Sequence, residues 1–315
     1  MDLKKIIFKE SVNLNPPTHE RYEAKMMTIL DLLNWYTNYL GEQGIENPRL
    51  NAELLLAHSL NLTREALYTH LRDPSWKEGR ERLEHLIQRR VSGEPLQYIL
   101  GDREFWSIHF RVDPRVLIPR PETELLVEQS LSILSEGSLE GTPRLLEIGT
   151  GSGAIAISLA KEVRDLFIVA TDISGEALLL AKENAVDAGV HHQITFLQGD
   201  LFGPFRSTGE RGSFHLILSN PPYIQSSEIQ NLAREIKDYE PIVALNGGVD
   251  GIAFYRSIVS QSPTYLRKGG WLLLEVGEDQ GKRVSAVIEK EGVFDRAERI
   301  KDLSGIERVV KAQKK

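Results

Sequence analysis

The chain has 315 residues, long enough for two domains that each bury a core, and its 41% hydrophobic and 26% charged content is that of a soluble globular protein. No apolar run reaches bilayer-spanning length, and the lack of cysteine excludes disulfides, thiolate nucleophiles and Cys-ligated zinc, a usage that fits the cytoplasm. A formal net charge of −7 excludes broad, non-specific attraction to nucleic-acid phosphates.

Residues 1–26 carry no periodicity, include Asn15-Pro16-Pro17-Thr18, and read as a poorly ordered extension without a convincing secretory signal; Met26 or Met27 offers an alternative start. From Thr28 the pattern changes. Ile29, Leu32, Leu33, Tyr36 and Leu40 recur at helical spacing until Gly41 and Gly44 end the run, and segments 49–60, 63–71 and 75–92 repeat it. Residues 27–95 are therefore expected to form a small helical domain. Its Arg80, Arg82, Arg89 and Arg90 alternate with Glu78, Glu81 and Glu84, which reads as a solvated face.

Gly93-Glu94-Pro95 breaks the last helix. Residues 96–120 read as a β-hairpin linker, its strands at 104–112 and 115–118 joined by a turn at Asp113-Pro114. A proline-stiffened loop, Pro119-Arg120-Pro121, then leads into a helix from about Glu122 to Leu134 that opens a second domain, 121–315.

Within that domain, 143–160 reads as strand, glycine turn and helix. Gly149, Gly151 and Gly153, with Thr150 and Ser152 between them, let the backbone approach a ligand while the helix start presents N–H groups to it. A nucleotide-like cofactor is the expected occupant, and the spacing Gly149-x-Gly151-x-x-Ala154 also satisfies a loose dinucleotide fingerprint. The next strand ends in Asp172, placed to accept from ribose hydroxyls, compatible with NAD or S-adenosyl-L-methionine. The one after ends in Asp200, placed to accept from an adenine amine, with Leu201 and Phe202 as an apolar seat for the ring. Glu147, two residues before the first glycine, would repel a pyrophosphate and attract a cationic amino acid, which favours S-adenosyl-L-methionine.

A further apolar strand, 214–219, ends in Asn220-Pro221-Pro222-Tyr223. A side-chain amide, two prolines without N–H groups and a flat ring at the carboxyl edge of a parallel sheet suit a planar –NH2 group, whether of a nucleobase or of a protein glutamine. Beyond it, Ser226–Ile236 reads as a short helix, 240–251 as an ordered loop and Ile252–Leu266 as a helix. Strand 269–276, helix Gln280–Glu291 and strands Phe294–Ile300 and Glu307–Lys311 complete seven strands. That count is expected of an α/β, Rossmann-like class I S-adenosylmethionine-dependent methyltransferase with a mostly parallel sheet. The eight histidines show no metal-ligand spacing, so no metal is expected.

With these motifs in order, the chain from Thr28 onward resembles the bacterial release-factor glutamine methyltransferases, the HemK/PrmC-type protein-(glutamine-N5) methyltransferases. The resemblance is carried by Gly93-Glu-Pro-Leu-Gln-Tyr-Ile-Leu-Gly-Asp-Arg-Glu-Phe105, Val116-Leu-Ile-Pro-Arg-Pro-Glu-Thr-Glu124, Glu147-Ile-Gly-Thr-Gly-Ser-Gly-Ala-Ile-Ala156 and Asn220-Pro-Pro-Tyr-Ile224. It implies a helical substrate-recognition domain, a hairpin linker, a catalytic domain, and methylation of the glutamine in the Gly-Gly-Gln tip of peptide-chain release factors. It further places Gly149 to Gly153 around the methionine part of the cofactor, Asp172 on the ribose, Asp200 and Leu201 near the adenine, and Asn220 to Tyr223 on the substrate amide. Phe105, Arg120, Pro121 and Glu122 would border the mouth of the site or serve to pack the hairpin and stiffen the loop.

In that reading Asn220, Pro221 and Tyr223 are catalytic and the enzyme is a monomer with a protein partner and no specific nucleic-acid partner. An adenine-N6 methyltransferase would use the same tetrapeptide but expects a basic groove, at odds with the net charge. A silent cofactor-binding scaffold would have no need of the tetrapeptide.

Overall fold

The computed structural model describes residues 27–74, 77–135, 141–206 and 209–315; the expected extension, 1–26, lies outside them. The chain divides into two compact units between Leu100 and Gly101.

The first unit is helical: α1 (Ile29–Glu42), α2 (Pro48–Ser59), α3 (Arg64–Thr69), α4 (Lys77–Val91) and α5 (Leu96–Leu100). Thr28 starts α1 through a capping box, its hydroxyl accepting from Asp31 N–H at 3.2 Å while the Asp31 carboxylate accepts from Thr28 N–H at 2.9 Å. The periodic residues Ile29, Leu32, Leu33, Tyr36 and Leu40 are all buried, joined by Leu55, Leu56, Leu67, Leu83 and Ile87. The four arginines of α4 do not form one solvated face. Arg90 is buried and donates to Asn51 Oδ1 at 2.8 Å, a polar tie between α4 and α2 that alternation of charges in sequence does not reveal.

The second unit opens with a hairpin, β1 (Asp102–Phe105) and β2 (Ile108–Arg111). Its turn is at Trp106-Ser107, not at Asp113-Pro114 as expected. Both residues have positive φ, 53° and 56°, the backbone of a tight primed turn that sequence normally announces with Asn-Gly. Asp113 instead receives both the N–H and the guanidinium of Arg115.

After α6 (Glu124–Ser135) come β3 (Arg144–Ile148), α7 (Ala154–Glu162), β4 (Phe167–Asp172), α8 (Gly175–Asp187), β5 (Ile194–Gln198) and β6 (Phe214–Ser219). The remainder is α9 (Arg234–Lys237), α10 (Ile242–Leu245), α11 (Ala253–Tyr265), β7 (Leu266–Glu275), α12 (Gly281–Lys290), β8 (Glu298–Lys301) and β9 (Glu307–Gln313). The seven strands β3 to β9 form one sheet in the order β5-β4-β3-β6-β7-β9-β8, with only β9 antiparallel to its neighbours.

Central strands are buried on both faces, which is why they read as unbroken apolar runs. Leu145, Leu216, Leu218 and Leu273 pack with α6 and α7 on one face, while Leu146, Ile217, Leu272 and Leu274 pack with α11 and α12 on the other. Because β3 is followed by β4 on one side and β6 lies on the other, the strand order reverses between β3 and β6. Their carboxyl ends carry the glycine turn and Asn220, so both motifs meet at the switch point where open sheets bind ligands.

Two segments differ from expectation. The helix expected over 226–236 is a 3-10 turn at Ile229–Asn231 and the single turn α9, separated by extended Leu232 (ψ 156°), and the loop at 240–251 contains α10. Strand β8 starts at Glu298 rather than Phe294, whose backbone makes an isolated bridge to Lys314. Among the described residues no helix is long and apolar enough to cross a membrane.

Candidate active site

Strand β6 is locked to β3 by Ser219, whose hydroxyl donates to the Ile148 carbonyl at 2.7 Å. That bond sets where the next residue leaves the sheet. Asn220 then donates through Nδ2 to Thr123 Oγ1 at 3.2 Å, which leaves its Oδ1 as the end not engaged by that bond. Thr123 is the last residue of a 3-10 turn, Pro121–Thr123, placed 97 positions away in sequence.

The following backbone is held closely. Gln280 Nε2 donates to the Tyr223 carbonyl at 2.9 Å, Ile224 N–H to Leu245 O at 3.0 Å, and Gly247 N–H to Ile224 O at 2.8 Å. A Cβ on Gly247 would lie 2.7 Å from Tyr223 Cα, so only glycine allows this approach.

Behind Thr123 lies Glu275, the last residue of β7, 3% exposed. Burial pushes its carboxyl up to about 7, with the neighbouring Thr123, Arg308 and Asn220 side chains drawing it down and the nearby charge of Glu122 reinforcing the rise. Its Oε2 has no partner among the described residues. Tyr255, fully buried in α11, donates to the Glu275 backbone carbonyl at 2.9 Å and so anchors the strand end. Burial, aided by Glu275, pushes the Tyr223 hydroxyl up to about 12, which keeps it protonated.

The glycine turn is built as its composition demands. Gly149, Gly151 and Gly153 all have positive φ; a Cβ on Gly149 or Gly151 would meet open space, whereas one on Gly153 would come within 2.9 Å of Ile157. The first two therefore face the cleft and the third packs the turn onto α7 and α8. Gly149 and Thr150 N–H groups both donate to Thr171 O, at 2.8 and 2.9 Å. Asp172 closes the turn, accepting from Gly151 N–H and Ser174 N–H, each at 2.9 Å. Burial raises its pKa, and these N–H bonds oppose the rise.

Glu147 is placed differently from the sequence expectation. It is fully buried beneath the turn, outside the cleft lining, where Oε2 accepts from Thr150 Oγ1 at 2.7 Å and Oε1 has no partner among the described residues. Burial pushes its carboxyl up to about 8. Buried outside the lining and bonded to Thr150, it does not face the cleft as the charge argument for one cofactor over another requires.

Asp200 is exposed at the cleft rim beside Leu201. Phe202 is not part of the ring seat. The positive φ of Leu201 (48°) turns the chain so that Phe202 points into the core and stacks on Tyr265 at 4.8 Å.

These residues surround one cleft in the second unit, enclosing about 1110 Å³ with its open mouth included. Its walls include Thr150, Gly151, Asp172, Asp200 and Leu201, together with Thr123, Asn220, Pro221 and Pro222, and Phe254 and Ile258 of α11. The donor set fits a nucleoside bearing an amino acid: acids at two successive strand ends, apolar side chains beside the second, and a glycine turn with space above it.

Tyr223 is outside the lining and packs against Gly277, where a Cβ would meet its ring at 3.0 Å. Of the proposed mouth residues, Arg120 lines the cleft and donates to buried Glu240 at 2.5 Å, whereas Pro121 and Glu122 are exposed outside the lining. Phe105 is core, packed edge-on against Phe110. No sequence expectation covers Thr123 or Glu275 as a site residue. For Glu275 the signal was available, since it is an acid at the carboxyl end of a parallel strand, like Asp172; for Thr123 there was none.

Known proteins resemble the chain along both units. Residues 31–101 match the PrmC N-terminal domain and residues 123–238 the methyltransferase small domain. A release factor glutamine methyltransferase of Geobacter sulfurreducens is 41% identical over 288 residues, covering 91% of this chain and 97% of the relative. One from Rhodopirellula baltica is 38% identical, covering 91% and 96%. Among solved structures, the catalytic domain of hMettl16 in complex with the MAT2A 3′UTR hairpin 6 shares the fold, with a TM-score of 0.52 over 72% of this chain and 81% of that one at 15% identity.

Proposed function

Because the chain belongs to the release factor glutamine methyltransferase family, we propose that the cleft carries out S-adenosyl-L-methionine-dependent N5-methylation of the glutamine in the Gly-Gly-Gln motif of peptide-chain release factors, modulating translation termination. The observation that carries this reading is Asn220: its donor end is engaged by Thr123, so its acceptor end is available at the wall of a cleft that the neighbouring glycine turn also lines. The helical unit is assigned to recognition of the release factor, and the cytoplasm, where termination occurs, is the place of action.

An amide nitrogen is a weak nucleophile because its lone pair is delocalised into the carbonyl. The site compensates by position. Asn220 Oδ1 and the Pro221 carbonyl accept the two N–H bonds of the substrate amide, holding the nitrogen with one face toward the cofactor end of the cleft. Pro222 withholds a donor that would compete for those carbonyls, and Tyr223, packed and protonated, stiffens the wall behind them. S-adenosyl-L-methionine, when bound, would supply an electrophilic sulfonium methyl whose leaving group is a neutral thioether, so the chain's own task is to aim the amide nitrogen. The nitrogen, acidic once methylated, then loses its proton to water, so no strong base is needed beforehand.

Gly149 to Gly153, Asp172, Asp200 and Leu201 would hold the cofactor. Asp172→Ala is expected to weaken S-adenosyl-L-methionine binding about 10- to 100-fold by calorimetry, because removing the acceptor of the Gly151 and Ser174 N–H groups loosens the turn; charge-assisted hydrogen bonds are worth about 1.5–3 kcal/mol. At saturating cofactor, turnover should recover most of its rate.

The function is tested by incubating the protein with methyl-labelled S-adenosyl-L-methionine and either a release factor, the same factor with its Gly-Gly-Gln glutamine replaced, or an adenine-containing nucleic acid. Label on the first alone is the expected result. Label on nucleic acid would replace this reading, and label on none would reduce the chain to a cofactor-binding module.

A further inference from the structure

We propose that Glu275 and Thr123 are positioning residues that decide which end of the Asn220 amide faces the substrate, an inference that rests on Asn220 being the acceptor for the substrate amide. An asparagine amide presents an acceptor end and a donor end of nearly the same shape, and only the acceptor end can receive a substrate N–H. Shape therefore cannot fix the orientation; hydrogen-bond polarity must.

That polarity is set behind the cleft. Asn220 Nδ2 lies 3.2 Å from Thr123 Oγ1, and both side chains sit close enough to the buried Glu275 carboxylate to draw its pKa down. An ionised carboxylate only accepts. It commits the Thr123 proton to itself, which commits a Thr123 lone pair to Asn220 Nδ2, which in turn leaves Oδ1 for the cleft. A protonated Glu275 has an O–H of its own; it can donate to Thr123, free the Thr123 proton for Asn220 Oδ1, and let the amide stand reversed.

The proton on Glu275 thus selects between a cleft wall that accepts and one that donates. Burial places this titration at about 7. The groups facing Glu275 are Glu122 from the turn before α6, which holds its proton on, Arg308 from β9, which draws it off, and the hydroxyls of Tyr223 and of Tyr255 in α11, both kept protonated by burial.

The experiment compares kcat, KM for the release factor and cofactor affinity across pH ~6 to ~9 for the wild type, Glu275→Gln, Thr123→Val, Thr123→Ser and Asn220→Ala. Wild-type kcat should rise with pH through about 7. Glu275→Gln, whose amide both donates and accepts, should lose that rise and lower kcat by about tenfold to 10²-fold with KM and cofactor affinity little changed, the cost of a misoriented catalytic group. Thr123→Val should match it and Thr123→Ser should restore the wild-type rate and profile, a rescue that a merely structural role would not produce. If Glu275→Gln and Thr123→Val keep kcat within about twofold of wild type, the proposal is overturned whatever their pH profiles. Should Thr123→Val fail to fold, Glu275→Gln decides alone. Failure of the underlying reading looks different, because Asn220→Ala would then retain turnover.

Discussion

Asn220→Ala is expected to lower kcat for methylation of a release factor by about 10²- to 10³-fold, the loss seen when one preorganised hydrogen-bonding group at a reacting centre is removed. Cofactor affinity should change by no more than a few-fold, since Asp172, Asp200 and the glycine turn are untouched. The fold should survive as well: the lost contact is a 3.2 Å hydrogen bond from an amide that stands at the wall of an open cleft. Asn220→Asp makes a sharper comparison. It keeps an acceptor in place but removes both Nδ2 protons and sets a second carboxylate beside Glu275, whose own pKa is already raised to about 7. Repulsion between the two should hold a proton on the pair and leave the variant nearly as slow as alanine, with part of its activity returning as pH rises. The measurement is single-turnover methylation at saturating cofactor, alongside calorimetric cofactor binding. Wild-type turnover in Asn220→Ala would remove Asn220 from catalysis and with it the proposed geometry of the amide.

What made the sheet legible was its burial on both faces. Strand β6 is buried at every position and so appears as an unbroken apolar run, and Asp172 stands out because it ends the largely buried run of β4. Glycine turns were legible for a similar reason, since φ values of 55° to 83° at Gly149, Gly151 and Gly153 leave few other residues possible. Three features were not legible, each because its cause is tertiary. Trp106-Ser107 adopts a turn conformation that its residue types disfavour, and core packing of Phe105 and Phe110 on either side holds it there. Phe202 looked like a ligand seat until the backbone at Leu201 turned it inward. Thr123 meets Asn220 across 97 residues, and nothing local to Pro121-Glu122-Thr123 announces that its hydroxyl is needed.

Glu147→Gln is expected to flatten the pH dependence of stability and to tell whether Glu147 serves the turn or the ligand. The carboxyl is fully buried and its pKa is raised from 4.5 to about 8, chiefly by burial, with the Thr150 hydrogen bond opposing and the Asp172 charge reinforcing. In the unfolded chain it ionises near 4.5, so between 4.5 and about 8 the folded state holds one proton more than the unfolded state. Stability from this group is therefore fully present below 4.5, falls as pH rises through that window, and is lost above about 8. At about 1.4 kcal/mol per unit the window spans on the order of a few kcal/mol. Glutamine cannot ionise and still offers Thr150 an acceptor, so thermal unfolding of the variant should lose less between mildly acid and mildly alkaline pH than the wild type does, with the two curves crossing or converging at the alkaline end. Parallel curves would mean that Glu147 does not titrate in this range. Cofactor affinity separates the two roles. A carboxylate that acts only through Thr150 predicts a change of a few-fold on substitution, because the turn keeps its Asp172 and Thr171 anchors. A carboxylate that meets the ligand's ammonium would instead cost about 10²-fold or more and would release a proton on binding, since a nearby cation draws the carboxyl's pKa down from about 8.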